Sequence, residues 1–332
     1  LGVSTIVVQS VTPSTAPATL TVNNSTGVVS VPNNVPAGTY TVTIRATDGC
    51  GAFTDAPFML TVASGCPVTG TVWFVNPAAA SGGNGASWSC AFQNVQDAIN
   101  AASSGHEVWV KAGTYFPTQD PFGNASPTDP RDKTFYLKSG VAVYGGFAGT
   151  ETLRTQRNPA ANVTTLSGDL GTAGDNTDNC YHVVLSSGDA NTTALDGFTV
   201  TKGNANGSGS ITVESRAFLR SNGGGLINNT SNTVISNCIF SGNAGSGGGG
   251  MYNTFSGPSV SDCTFAGNTA TTNGGGVFNS NSTPAFSRCT FTGNTASTGG
   301  GMRNETSTAV TLTECIFTGN TATSSNGGGF YI

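Results

Sequence analysis

The stretch 237–243, NCIFSGN, returns as DCTFAGN at 262–268, RCTFTGN at 288–294 and ECIFTGN at 314–320, and this recurrence decides the fold. Cys238, Cys263, Cys289 and Cys315 are separated by 25, 26 and 26 residues, and Asn243, Asn268, Asn294 and Asn320 close the strings at the same intervals. Between them GGGL, GGGM, GGGV, GGGM and GGGF put Leu226, Met251, Val277, Met302 and Phe330 in register, with Asn228, Asn253, Asn279 and Asn304 two residues after the first four. Within a unit Cys238 and Phe240 face one way while Asn237, Ile239 and Ser241 face the other, the two-residue period of a short strand. Such a unit has no room for a helix and cannot bury its own face. It must stack on copies of itself, strands about 4.8 Å apart, with like residues above one another. Columns of Cys, Phe and Asn follow, and the Gly triplets fit corners that need positive φ and close approach of the next coil. The chain is read as all-β, a parallel β-helix solenoid.

Upstream of the repeats the texture is less regular. Val95, Ala98, Ile99 and Ala102 fall at the spacing of one short helix, with Asn94 as N-cap, Asp97 three residues on and Gly105 as the stop. A strand VWVKA follows with Val108 and Val110 on one face, then a Pro-rich insertion at 116–133, then strands expected at 135–137, 141–144, 182–185 and 195–200. One helix ahead of many strands suits a cap over the open end of a solenoid.

Residues 1–64 read as a small β-sandwich. Tyr40, Val42, Ile44 and Ala46 alternate with polar residues in TYTVTIRATD, as do Phe58, Leu60 and Val62 in FMLTV. Turn signals lie between: NNSTG at 23–27, NNVPAG at 33–38 and DGCG at 48–51. The run LTVNNSTGVVSVPNNVPAGTYTVTIRATD resembles the bacterial Ig-like and cadherin-like modules repeated in large surface adhesins. An immunoglobulin-type sandwich takes about 100 residues, so this module is compact or has further strands upstream. The domain division is therefore 1–64 and 65–332.

A second resemblance rests on the ordered series WSCAFQNVQDAINAA, EVWVKAGTY, VAVYGGFAGTE, LSGDL, DNCYHVV, LDGFTVTKGN and the GGG repeats. Over roughly residues 70–332 this series is similar to the right-handed parallel β-helix surface proteins of Bacteroidota, which share GGG and FSGN repeats with chlamydial polymorphic membrane proteins. The resemblance implies a right-handed helix, secretion and cell-surface attachment through a C-terminal sorting region outside this sequence. It carries over no catalytic residues.

Charged residues make up 9% of the chain, against about 25% in an ordinary globular domain. With 12 Lys and Arg against 17 Asp and Glu and no basic cluster, phosphate backbones find little to bind, so a nucleic-acid partner is not expected. No window approaches the roughly 18 apolar residues of a membrane helix. The chain opens without a signal peptide and stops inside a repeat, NGGGFYI, so the reading expects a longer natural chain.

Several residue sets invite a site. The cysteine column lacks the paired C-x2-C spacing of a metal site and reads as stacked free thiols. Among the other four cysteines, an even number in an oxidising compartment, Cys50–Cys66 is the first pairing expected and Cys90–Cys180 the second. The asparagine columns read as ladders bonding backbone and their own copies, with a ligand strip as the alternative. Asp169, Asp175 and Asp178 in SGDLGTAGDNTDN form turns or gather around Ca²⁺, the one cofactor considered, and Asp48 and Asp55 invite a calcium reading of cadherin type. His106 and His182 sit in no recognisable triad, and the GGG strings lack a phosphate-loop context. Asn162 and Asn191 lie in Asn-x-Thr acceptor sites.

From Ser221 to Ile332 the only charged residues are Asp262, Arg288, Arg303, Glu305 and Glu314, scattered over different coils. The expected function is accordingly a non-enzymatic extracellular structural or adhesive surface protein, a stalk or a filament subunit associating head to tail with itself. The alternative is a polysaccharide-binding or polysaccharide-degrading β-helix, with Trp73, Trp88, Trp109 or tyrosines contacting glycan and any carboxylate cluster confined to 131–196.

Overall fold

The computed structural model describes residues 3–13, 19–32, 38–62, 66, 70–188, 192–306 and 309–332, the side chain of Ser325 excepted. Most of the turn at 33–38 and the acceptor Asn191 lie outside the described residues. The chain divides into two compact units, Leu1–Pro67 and Val68–Ile332.

In the first unit Gly38–Asp48 is the central strand of an antiparallel sheet, flanked by Val3–Thr12 and Phe53–Val62. Tyr40 and Val42 are its buried centre and meet Leu20, Val8, Val11, Val29, Leu60 and Val62. The Asn23 carboxamide oxygen accepts from the Ser25 and Thr26 amides, closing the turn between the short strands Thr21–Val22 and Val29–Ser30. Phe58, expected to be half-buried, is 37% exposed, because its strand stands at the sheet's edge with one neighbour.

The second unit is a stack of coils. Its first sheet contains Val72–Val75, Glu107–Lys111, Ala142–Phe147, Ala194–Asp196, Val234–Ser236, Ser259–Ser261, Ala285–Ser287 and Thr311–Thr313, paired in parallel in chain order. The second runs from Gly113–Tyr115 through Thr164–Ser167, Thr199–Thr201, Ile239–Ser241, Thr264–Ala266 and Thr290–Thr292 to Ile316–Thr318. The third runs from Phe135–Leu137 through Val184–Ser187, Leu226–Asn229, Met251–Thr254, Val277–Ser280 and Met302–Glu305 to Phe330–Tyr331. A fourth, from Asn204–Ala205 to Thr321–Asn326, joins the second to the third in the later coils.

Corners explain how about 25 residues close one turn. Between the first and second sheets the chain turns on a single left-handed residue, Asn237, Asp262, Arg288 or Glu314, with φ of 51°, 55°, 51° and 54°. Thr230, Phe255, Asn281 and Thr306 do the same between third and first, at 53°, 48°, 49° and 54°. A non-glycine residue there costs about 1 kcal/mol or more, small beside the ladder bonds the turn aligns. At the triplets glycine is compulsory: a Cβ on Gly249 would lie 2.2 Å from the Thr269 carbonyl oxygen.

Inside the stack, Phe240, Phe265, Phe291 and Phe317 lie face to face, with centroids 5.0, 4.9 and 4.4 Å apart and planes within 7°. The column of Asn243, Asn268, Asn294 and Asn320 is saturated by its own copies. Asn268 Nδ2 donates to the Phe240 carbonyl (2.8 Å) and to Asn294 Oδ1 (3.0 Å), while its Oδ1 accepts from the amide and the Nδ2 of Asn243, both 3.1 Å. A second column passes Nδ2–H to Oδ1 from Asn228 to Asn253 (2.7 Å), Asn279 (2.8 Å) and Asn304 (2.7 Å).

The start of the stack is closed by the helix Val95–Ala101, whose Val95, Ala98 and Ile99 are buried. Gln96 imitates a strand: its Oε1 accepts from the Tyr136 amide (2.9 Å) and its Nε2 donates to the Tyr136 carbonyl (3.1 Å), pairing the edge of the third sheet. Asn94 stands at the N-cap but makes no side-chain cap bond; its amide donates to Asp97 Oδ2 (3.0 Å) instead. The helix ends at Ala101, short of Gly105, where Lys138 Nζ takes the Asn100 and Ala102 carbonyls. The strand expected at 195–200 is two strands, because Gly197 (φ 83°) turns the corner between them.

Since each column amide bonds both neighbours, Asn268→Ala should orphan Asn243 and Asn294 and cost about 2–5 kcal/mol, a drop readable in urea unfolding midpoints.

Candidate functional site

The cysteine column follows the first-to-second-sheet corners. The amides of Thr264, Thr290 and Ile316 donate to the Cys238, Cys263 and Cys289 carbonyls (2.9, 2.9 and 2.8 Å), which sets the four residues above one another. Each thiol turns back to the carbonyl two residues earlier: Ser236 (3.2 Å), Ser261 (3.1 Å), Ser287 (3.4 Å) and Thr313 (3.4 Å). All four are free thiols.

The expected disulfides are corrected. Cys66 and Cys90 are the disulfide-bonded residues, whereas Cys50 and Cys180 are free. Cys50 sits at a hairpin tip where Asp48 Oδ1 accepts its amide (2.9 Å), and Cys66 follows the far end of the ten-residue strand Phe53–Val62. At about 3.3 Å per residue that strand alone is roughly 30 Å long. Cys180 is fully buried against Gly168, and burial pushes its thiol up to about 12.

The acidic loop does not gather its carboxylates. Asp169 accepts the Gly174 amide, Asp175 accepts both the amide and hydroxyl of Thr177, and Asp178 accepts the Thr172 amide. Among the described residues no three His, Cys, Asp or Glu are placed together to hold a metal ion. Asp55 is likewise occupied, in a two-bond pair with Arg45 (2.7 Å each), and the Arg45 guanidinium lowers its carboxyl below the usual range.

Charge does converge where the insertions fold back onto the early coils. On the first sheet Trp109, Tyr144, Asp196 and Ser236 stand in one column by strand register. Over it lie Arg154, whose guanidinium is 4.6 Å from the Tyr144 ring centre and bonded to Glu107 (2.5 Å), and Arg157, bonded to Asp196 (2.6 Å). Asp196 also accepts from Ser236 Oγ (2.9 Å) and Asn237 Nδ2 (3.1 Å), and Glu107 from Trp109 Nε1 (2.7 Å). A second cluster surrounds Tyr181. Arg131 lies over its ring at 4.2 Å and donates to Asn179 O, Asn204 O and Asn206 Oδ1 (2.6, 2.7 and 2.7 Å). Arg220 makes two 2.7 Å bonds to Asp132, and Asp129 accepts the Tyr181 hydroxyl (2.9 Å). Burial, with that bond, raises the Tyr181 phenol above its ordinary range. In both clusters every carboxylate has a partner, so the chemistry on view is that of ion-pair clamps pinning loops to coils.

The remaining candidates serve packing. His182 is buried and its Nδ1 contacts the Gly223 carbonyl (3.0 Å); burial lowers its imidazolium to about 4. His106 Nδ1 accepts from Trp73 Nε1 (2.9 Å). The tryptophans considered for glycan contact are satisfied internally: Trp88 Nε1 donates to the Glu151 carbonyl (2.9 Å), and Trp109 stacks on Phe147 at 4.8 Å. Sequence reasoning bounded the charged region at 131–196 but missed Arg220 and Glu107, which come from distant coils. Their only signal was charge in a chain that otherwise avoids it.

Residues 178–332 match the family model for a right handed beta helix region, and residues 2–63 the He_PIG model for an Ig domain. No match to a curated protein was found. Among solved structures, a pectin methylesterase from Aspergillus niger is 14% identical over 78% of this chain and 88% of its own, at a TM-score of 0.35. A family 28 exopolygalacturonase from Yersinia enterocolitica is 12% identical over 89% of this chain and 58% of its own, at 0.27. These neighbours correct the expectation that the chain is no enzyme, for both are enzymes. At such scores neither assigns an activity to this chain. No helix of the described residues is long and apolar enough to cross a membrane.

Two measurements follow. Native thiol labelling should modify Cys50 at once and Cys315 more slowly, leaving Cys180, Cys238, Cys263 and Cys289 until denaturant is added. Because the folded His182 value lies below that of the unfolded chain, the unfolded state binds the extra proton between them, and stability should fall by about 3 kcal/mol as pH drops from 6.5 to 4. His182→Gln should flatten denaturation midpoints across that window.

Proposed function

We propose that this chain is a structural and adhesive element of an extracellular surface protein, in which the coil stack is a stiff spacer and the Ig-like unit a surface module. The observation carrying this reading is the pair of buried asparagine columns, whose side chains tie successive coils together by internal hydrogen bonds. Eight strands in the first sheet correspond to a stack about 34 Å long at the usual strand spacing. An extracellular setting is supported by the disulfide-bonded Cys66 and Cys90, since such bonds persist in oxidising compartments. The similarity of the ordered motif series to Bacteroidota β-helix surface proteins points the same way.

The test is display on a non-adherent bacterial host. Cells carrying the chain are expected to be retained on mucin-coated or epithelial surfaces under flow above the level of the host alone. Retention no higher than that of the host alone would overturn the reading.

A further inference from the structure

Where the insertion at 116–133 passes the helix Val95–Ala101 and the edge strand Phe135–Leu137, it leaves a cleft of about 350 Å³. Gln96, Asn100, Gln119, Pro121, Phe122 and Lys138 line it. This lies at the low end of the roughly 300–1,000 Å³ typical of small-molecule sites. Phe122 is 64% exposed, yet it is not on a slack loop. Asp120 Oδ1 accepts the amides of Phe122 and Asn124 (2.9 Å each), and the Gly123 amide donates to the Asp120 carbonyl (3.0 Å). The ring is thus presented at the corner of a cross-braced turn.

Opposite it, Gln96 is wholly engaged with the Tyr136 backbone and Asn100 Oδ1, and forms a fixed wall. Among the described residues the Asn100 Nδ2 donors and the Gln119 side-chain amide have no hydrogen-bond partner. Lys138 Nζ has two of its three donors on the Asn100 and Ala102 carbonyls, which leaves one. No carboxylate lines the cleft, in a chain of net charge −5. One exposed aromatic face, a set of amides and a single ammonium together match a pyranose ring, whose C–H face is apolar and whose rim is hydroxyl, provided the sugar carries an anion.

We propose that this cleft binds a saccharide bearing a carboxylate or sulfate, with its ring on Phe122 and its anionic group at Lys138. The proposal rests on the adhesive reading, for which it supplies the receptor chemistry. Calorimetry with uronate-containing, sulfated and neutral oligosaccharides tests it on the whole chain. Acidic sugars are expected to bind about tenfold or more tightly than neutral counterparts, and the uronate and sulfated arms identify the source of the anion. Phe122→Ala, at an exposed position that leaves thermal unfolding unchanged, should weaken every saccharide by about tenfold, within the range for loss of one aromatic stacking contact. Lys138→Gln should erase the preference for acidic over neutral sugars. Absence of saccharide binding, undiminished binding by Phe122→Ala, or an acid preference surviving Lys138→Gln would overturn the site. If Phe122→Ala cells still adhere under flow while the wild-type chain binds no saccharide, the cleft assignment falls and the adhesive reading stands.

Discussion

Everything in the larger unit depends on like residues lying directly above like residues. A coil of this size has no interior of its own, so each buried side chain needs a neighbour from the next coil, and the parallel ladders fix which one it gets. The asparagine columns make that constraint strict. An apolar column tolerates sliding by small amounts, but an amide that gives and receives bonds on both sides does not, and a shift of one residue would leave several polar groups buried and unpaired. The phenylalanine stack and the glycine corners fit because that register already exists.

The same constraint explains where chemistry concentrates. Inside the regular coils any change is copied against its neighbours, so variety is confined to the insertions that leave the stack and return. Both arginine–tyrosine clusters, and the cleft beside Phe122, lie where such insertions are fastened down. The clamps reach across coils: Arg131 bonds residues near 179 and 204, and Arg220 reaches back to Asp132. Loops so long in sequence are thereby given the precision of the scaffold beneath them.

Much of the fold was legible because the repeat states its own period. Cys238, Phe240 and Asn243 with their copies specified strand, face and corner, and the triplets marked the turns. The first coils were harder to read, since their insertions hide the period. There the strand expected at 195–200 split at Gly197, and Asn94 bonded Asp97 and not the helix amides. The disulfide pairing failed for a reason of length: Cys50 and Cys66 are close in sequence, but a ten-residue strand lies between them. Of the functional residues, those in loops gave no pattern at all. Phe122 is one phenylalanine among 18, and its exposure comes from an Asp120 turn that composition does not announce.

The single-residue corners carry a further consequence. Thr230, Phe255, Asn281 and Thr306 occupy equivalent positions on successive coils and share one backbone conformation, although a phenylalanine and an asparagine stand between the two threonines. Phe255 is 65% exposed there. The stack therefore works as a ruler whose graduations, about 4.8 Å apart, can each be relabelled without moving the others. Mutation along that edge can rewrite a linear surface text one character at a time while the scaffold that spaces the characters stays unchanged.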